Sequence, residues 1–225
     1  MGAAARAMAN FGFSKMTAVA PWADHWREVR SAVGAPDVLL GAEESATLAE
    51  AVERCTLVAG TGSLTYRKPE QPVVALPDLA PLIRQELARG GRIALVFGPE
   101  KHGLTRDDLS YCHLLIEIPT DARQPSMNLG QAVAVCLYEL IRSESQAELA
   151  IEAGGTGPSG GDLELLATVV EEAMVAADYS PSGMRAANRH DLRLLLRRLR
   201  PTRRDTRRIL GLFRRILWRL QRKSE

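Results

Sequence analysis

The sequence predicts an α/β fold: a mostly parallel sheet covered by helices on both faces, followed by a small all-helical extension. Three observations carry this. Short apolar, β-rich runs alternate with helical patterns through residue 145, as strands joined by crossover helices do. The stretch EAGGTGPSGGD at 152–162 is rich in Gly and reads as a flexible linker. Beyond it the pattern is helical only, and the charge changes sign. From Arg185 onward 15 Lys/Arg stand against 3 Asp/Glu, a balance of +12, whereas residues 1–184 carry −10. The expected division is a body over 1–150, a linker over 151–162 and a basic helical extension over 163–225.

The elements follow in order. KMTAVAP (15–21), CTLVAGTG (55–62), RIALVFGP (92–99) and HLLIEIP (113–119) are apolar runs bounded by Gly or Pro, and each predicts a buried strand. ESATLAEAVERC (44–55) and LPDLAPLIRQELARG (76–90) predict helices, the second closed by Gly90-Gly91. Thr105 and Asp108 are spaced as a capping box, with Asp replacing the usual Glu, so a short helix is expected after Gly103. MNLGQAVAVCLYELIRSES (127–145) predicts a long, mostly apolar helix. Three helical patterns follow the linker. In the last two, Leu192, Leu195, Leu196 and Leu199, then Ile209, Leu212, Phe213, Ile216 and Leu217, are spaced to share a face.

Several function classes drop out on composition. No apolar run approaches the ~20 residues that span a bilayer, and MGAAARAMANFG lacks the basic start and apolar core of a signal peptide. Cys55, Cys112 and Cys136 are scattered and in no CxxC arrangement, so a reducing cytoplasm is the expected setting. An acidic body with a basic arm points to a polyanion, nucleic acid first and a membrane surface second. Arginines on several faces of the arm argue against the membrane.

The chemical motifs are loops. GTGSLT (60–65) lacks the third glycine of a dinucleotide fingerprint, and no GxxxxGK[ST] phosphate loop exists. His25, His102, His113 and His190 have no metal-ligand spacing, and Ser126 is not in GxSxG. What remains is GTGS (60–63), FGPEKHGL (97–104) and TDARQPSMNLGQA (120–132), each after an expected strand. With parallel strands these loops meet along one edge, where open α/β sheets bind ligands. Residue chemistry alone leaves open whether they are a binding edge or three ordinary turns.

At these loops the sequence resembles the SPOUT superfamily of knotted RNA methyltransferases, in its SpoU/TrmH branch. FGPEKHGL resembles the family's FGxExxGL motif, and IEIP followed by PSMNLGQAVAVCLYEL resembles its last motif. ARAMANFGFSKMTAVAP (5–21) resembles the first, whose arginine is Arg6. The Leu-rich helix, the DY turn and LRRLRPTRRDTRRILGLFRRI resemble the C-terminal extension of the TrmJ family of tRNA ribose methyltransferases.

The resemblance implies a C-terminal trefoil knot, a homodimer, and S-adenosylmethionine held by Thr61, Gly62, Ser63, Gly98, Ile118, Pro125, Ser126 and Met127, with Glu100 bracing the cofactor loop. It implies 2′-O-methylation of a tRNA ribose in the anticodon loop, with Arg6, Ser126 and Asn128 as the catalytic set. An arginine stays protonated at neutral pH, so Arg6 is expected to hold a phosphate and stabilise the developing alkoxide. Two features depart from the family. Its first strand and N-x-G precede the ARAM helix, whereas the sequence given begins at that helix. Its arginine pair after the GTS loop is replaced near Leu64 and Tyr66, with Arg67 and Lys68 displaced. A ribosomal RNA enzyme of the same branch and a catalytically silent RNA-binding dimer are the alternatives.

Overall fold

The computed structural model describes residues 1–21, 26, 36–62, 69–144 and 157–222. Its sheet strands are parallel throughout. β1 (Thr17–Val19) pairs with β2 (Glu43–Ser45), and a four-stranded sheet runs in the order β4 (Val73–Ala75), β6 (Leu114–Glu117), β3 (Leu57–Thr61), β5 (Ile93–Val96). β6, the last strand in sequence, therefore lies between β3 and β4.

Both faces of this sheet are covered, as the alternating pattern predicts. Side chains alternate along a strand, so Leu57, Ala59, Leu114 and Ile116 point to one core, which α4 (Leu76–Ala88) and α6 (Leu129–Glu144) close with Leu76, Leu79, Ile83 and Cys136. Val58 and Leu115 point the other way, into a core with Leu48 and Val52 of α3 (Leu48–Val52) and with Tyr111 and Cys112. α1 (Gly2–Asn10) lies on α6 through Ala4, Ala7, Val133 and Leu137. α2 (Pro36–Leu40) joins a smaller core with Ala5, Ala18 and Trp26.

The helix expected over 44–55 is shorter. β2 takes its first residues, and Thr47 caps α3 by accepting the Glu50 N–H while Glu50 accepts the Thr47 N–H, a capping box. The Thr105–Asp108 box does start a short helix, α5 (Arg106–Ser110).

The extension is built on the body. Helix α7 (Gly160–Ala176) starts inside the segment read as linker, capped by Ser159 and Asp162. Its first amides donate to the body: Gly160 N to Cys55 O at 2.8 Å and Gly161 N to Glu53 O at 2.6 Å. A short 3-10 turn (Ser182–Met184) leads into α8 (Arg185–Leu199), and α9 (Arg203–Gln221) packs Ile209, Leu210 and Phe213 against Leu163, Leu166, Ala167 and Val170 of α7.

The expected apolar faces hold in part: Leu192, Leu196, Ile209, Phe213 and Leu217 are buried or half-buried, and the face of α8 is turned from the expected one. Leu195, Leu199, Leu212 and Ile216 are exposed, while Arg193, Leu194, Leu196 and Arg197 are buried. For α8 the reason is a carboxylate. Glu164 on α7 accepts from Arg193 Nε at 3.1 Å and Arg197 Nη2 at 3.0 Å, which lets two arginines occupy the face turned toward the body. Arg193 also pairs with Asp107 of α5 at 3.2 Å, and its guanidinium lies 4.4 Å from the centroid of the Tyr111 ring.

Candidate active site

Register fixes the site. Gly60 pairs with Val96 and Thr61 with Ile116, so β3, β5 and β6 end level on one edge. The loops after Thr61, Val96 and Glu117 leave that edge together. This is the convergence expected of parallel strands.

Each loop is held by its own chemistry. Thr61 is buried and its hydroxyl donates to Val96 O at 3.0 Å, tying the β3 end to the β5 end. Gly62 is exposed, and a Cβ there would meet nothing within 4 Å. Ser63, with Leu64, Tyr66, Arg67 and Lys68, lies outside the described residues.

The second loop folds over itself. Gly103 N donates to Pro99 O at 2.7 Å, and Gly103 has a φ of +64°, in the region that favours glycine. A Cβ on Gly98 would stand 2.2 Å from the Gly103 carbonyl carbon and 2.3 Å from Leu104 N. Gly98 is thus required by the loop's own backbone, before any ligand is considered. Glu100 is exposed at its tip.

In the third loop Gln124 N donates to Asp121 O at 2.9 Å, and Arg123 donates through Nε and Nη2 to the Asp121 carboxylate. These bonds hold that carboxyl below the usual range. Ile118 is half-buried against the sheet core, Pro125 and Met127 are half-buried, and Ser126 and Asn128 are exposed. Asn128 Oδ1 accepts the Gly130 N–H at 2.9 Å, an N-cap for α6.

α1, which carries Arg6, is brought to α6 by helix packing. A Cβ on Gly130 would lie 2.6 Å from the Ala3 Cβ, so glycine lets α1 and α6 touch two residues past Asn128. Arg6 is exposed on α1, one turn beyond Ala3. The structure thus brings Thr61, Gly62, Gly98 and Ile118 to one edge, with Pro125, Ser126, Met127 and Asn128 on the loop into α6 and Arg6 on the helix against it. Sequence reasoning missed Gly130, whose one signal is a glycine in the first turn of an apolar helix.

The geometry has a known counterpart. Residues 1–138 match the model of the SpoU rRNA Methylase family. The chain belongs to that family. The match to one relative extends into the arm. The tRNA (cytidine/uridine-2′-O-)-methyltransferase TrmJ of Pectobacterium atrosepticum is 32% identical over 89% of this chain and 84% of that protein. TrmJ of Pseudomonas aeruginosa, a tRNA (cytidine/uridine/adenosine-2′-O-)-methyltransferase, is 39% identical over 62% of this chain, and the match spans 54% of that protein's length. Among solved structures, TrmJ from Z. mobilis superposes with a TM-score of 0.82 at 29% identity, covering 96% of this chain and 92% of that one. A putative methylase family protein from Neisseria gonorrhoeae gives 0.61 at 27% identity, over 80% and 88%. Likeness over both body and arm supports reading them as one architecture.

Proposed function

We propose that this chain is a tRNA 2′-O-methyltransferase that uses S-adenosylmethionine and acts in the cytoplasm on a cytidine or uridine ribose of the anticodon loop. The observation that carries the reading is the level ending of β3, β5 and β6 beside the α1–α6 contact. The printed names of the TrmJ relatives support the substrate class.

The edge suits the cofactor. Gly62 leaves open space for close approach, Ile118, Pro125 and Met127 offer half-buried apolar surface for an adenine, and exposed Ser126 offers a hydroxyl. Ser63 and Glu100 belong to the same proposed cradle, Glu100 as a brace of the second loop. The cofactor supplies an electrophilic methyl group. The protein's part is to orient a ribose 2′-hydroxyl in line with it. Arg6 holds the adjacent phosphate and stabilises negative charge as the hydroxyl proton leaves. Asn128 fixes the start of α6, and with it Ser126 and the loop that faces the hydroxyl.

The reading includes a homodimer and the family's trefoil knot. Val135, Tyr138 and Ile141 form an exposed apolar strip on α6, and Tyr138 lies 6.2 Å from Phe11, ring to ring. A second copy covering α1 and α6 would bury it beside Arg6, and sedimentation velocity measures that state. The function is tested by incubating the chain with tRNA, ribosomal RNA and methyl-labelled cofactor, then mapping 2′-O-methyl groups. Label in tRNA alone is expected, whereas label confined to ribosomal RNA selects the other SpoU activity. Arg6→Ala is expected to abolish transfer with cofactor affinity nearly unchanged, because the loss falls on the transition state. Equal loss of cofactor affinity would remove Arg6 from the role.

A further inference from the structure

α9 turns one face to the protein and another to solvent. Thr206, Ile209, Leu210, Phe213, Leu217 and Leu220 are buried or half-buried. At 3.6 residues per turn, Trp218 falls on the opposite side, in line with Arg204, Gly211, Arg215 and Arg222. It is 38% exposed, an indole on an arginine face. The guanidinium carbons of Arg215 and Arg222 lie 4.2 and 4.6 Å from its ring centroid, and that of Arg219 lies 5.9 Å away.

Folding does not account for this side chain, which is turned away from the core that α9 closes. Nor does it account for Gly211, two turns earlier on the same stripe. A Cβ there would meet nothing within 4 Å, and glycine weakens a helix interior. The stripe thus offers an indole with the guanidinium groups of Arg215 and Arg222 over its ring, and a bare patch of helix two turns away. A base stacks on an aromatic ring or on a guanidinium plane whatever its identity. Arginines on the same stripe suit the phosphates on either side, and a side-chain-free turn lets the sugar-phosphate chain come close.

We propose that Trp218, with Arg215 and Arg222, is a stacking site for an unpaired nucleobase of RNA. The charge complementarity of this face selects a polyanion. Duplex RNA keeps its base faces stacked inside the helix, so the site selects single-stranded nucleotides. The inference deepens the RNA-binding part of the proposed function and rests on it.

The test titrates the full chain with a single-stranded oligoadenylate and with an RNA duplex of equal length, reading tryptophan fluorescence and binding. Subtracting Trp218→Phe emission isolates the Trp218 signal. The single strand is expected to quench that signal, and the duplex to leave it unchanged. Trp218→Ala is expected to weaken single-strand binding about 5- to 160-fold, the range of one lost base stack, with duplex binding held and Trp218→Phe restoring most of the loss. Unchanged single-strand affinity in Trp218→Ala, or equal loss for both RNAs, overturns the site. A Trp218 response to anionic phosphatidylserine vesicles without quenching by RNA overturns it in favour of a membrane surface. Methyl transfer to tRNA by the unaltered chain is measured separately. Transfer without Trp218 quenching removes the stacking site alone, and quenching without transfer removes the enzymatic reading alone.

Discussion

At the scale of single residues, the two loop glycines separate structure from ligand. Gly98→Ala places a methyl against Gly103 and Leu104 backbone, and overpacking of this kind costs about 1–3 kcal/mol. Cofactor affinity and melting temperature are expected to fall together. Gly62→Ala meets open space, so stability is expected to change by under about 0.5 kcal/mol while cofactor affinity drops. A Gly62→Ala protein that binds S-adenosylmethionine normally would take Gly62 out of the cradle. His113 gives a pH signature. It is buried, and its Nδ1 accepts the Val58 N–H at 3.1 Å. Burial first, then the charges of Arg197 and Arg200, push its pKa from 6.5 down to about 3. The unfolded chain takes up this proton first, so the stability contribution is full above pH 6.5 and is lost as pH falls toward about 3. The slope reaches about 1.4 kcal/mol per pH unit for one group. His113→Asn, which keeps an acceptor, is expected to flatten the acid limb of melting temperature between pH 6.5 and 4. An unaltered limb would assign the acid sensitivity to other groups.

At the scale of elements, the sequence was readable wherever one rule decided the outcome. Apolar runs bounded by Gly or Pro located β3, β5 and β6, and the Thr105–Asp108 spacing located α5. β2 and β4 were not readable, because EES and VVA are three residues long and owe their pairing to the neighbouring strands. α8 was legible as a helix, but its buried face was not, because charge counting treats every arginine as solvent-facing. Nothing in RHDLRLLLRRLR says that Arg193 and Arg197 meet Glu164, a residue 29 and 33 positions earlier. Of the proposed cradle, the loops were legible as motifs, whereas the Gly130–Ala3 contact that brings α1 to α6 depends on tertiary packing. The Glu164 cluster carries its own prediction. Glu164→Ala leaves Arg197, 2% exposed, and Arg193 without their shared carboxylate. Removing one partner of a buried pair costs about 3–5 kcal/mol. The melting transition is expected to drop accordingly, and a change under about 1 kcal/mol would mean that water replaces the carboxylate there.

At the scale of the whole molecule, the extension is bolted to the body through Gly160, Gly161 and Arg193, so deleting 157–225 would strip Tyr111 and α3 of their cover. Charge substitution on α9 is the cleaner probe of RNA attraction. Replacing exposed Arg207, Arg208, Arg214 and Arg219 by Gln is expected to reduce the salt slope of tRNA binding by up to about 3.6, at roughly 0.7–0.9 per lost phosphate contact. Melting temperature and cofactor affinity should hold. An unchanged slope would assign the arm to a different partner. The placement of β6 between β3 and β4 also bears on how the protein is made. On the ribosome, the two flanking strands emerge first and leave a gap one strand wide, about 10 Å across at ordinary strand spacing. The gap stays open until residues 114–117 are synthesised and inserted. A nascent chain stalled in that interval shows two unsatisfied strand edges to its neighbours, the template for aggregation. Translation pauses between β4 and β6 would therefore govern how much of the newborn protein reaches its folded form.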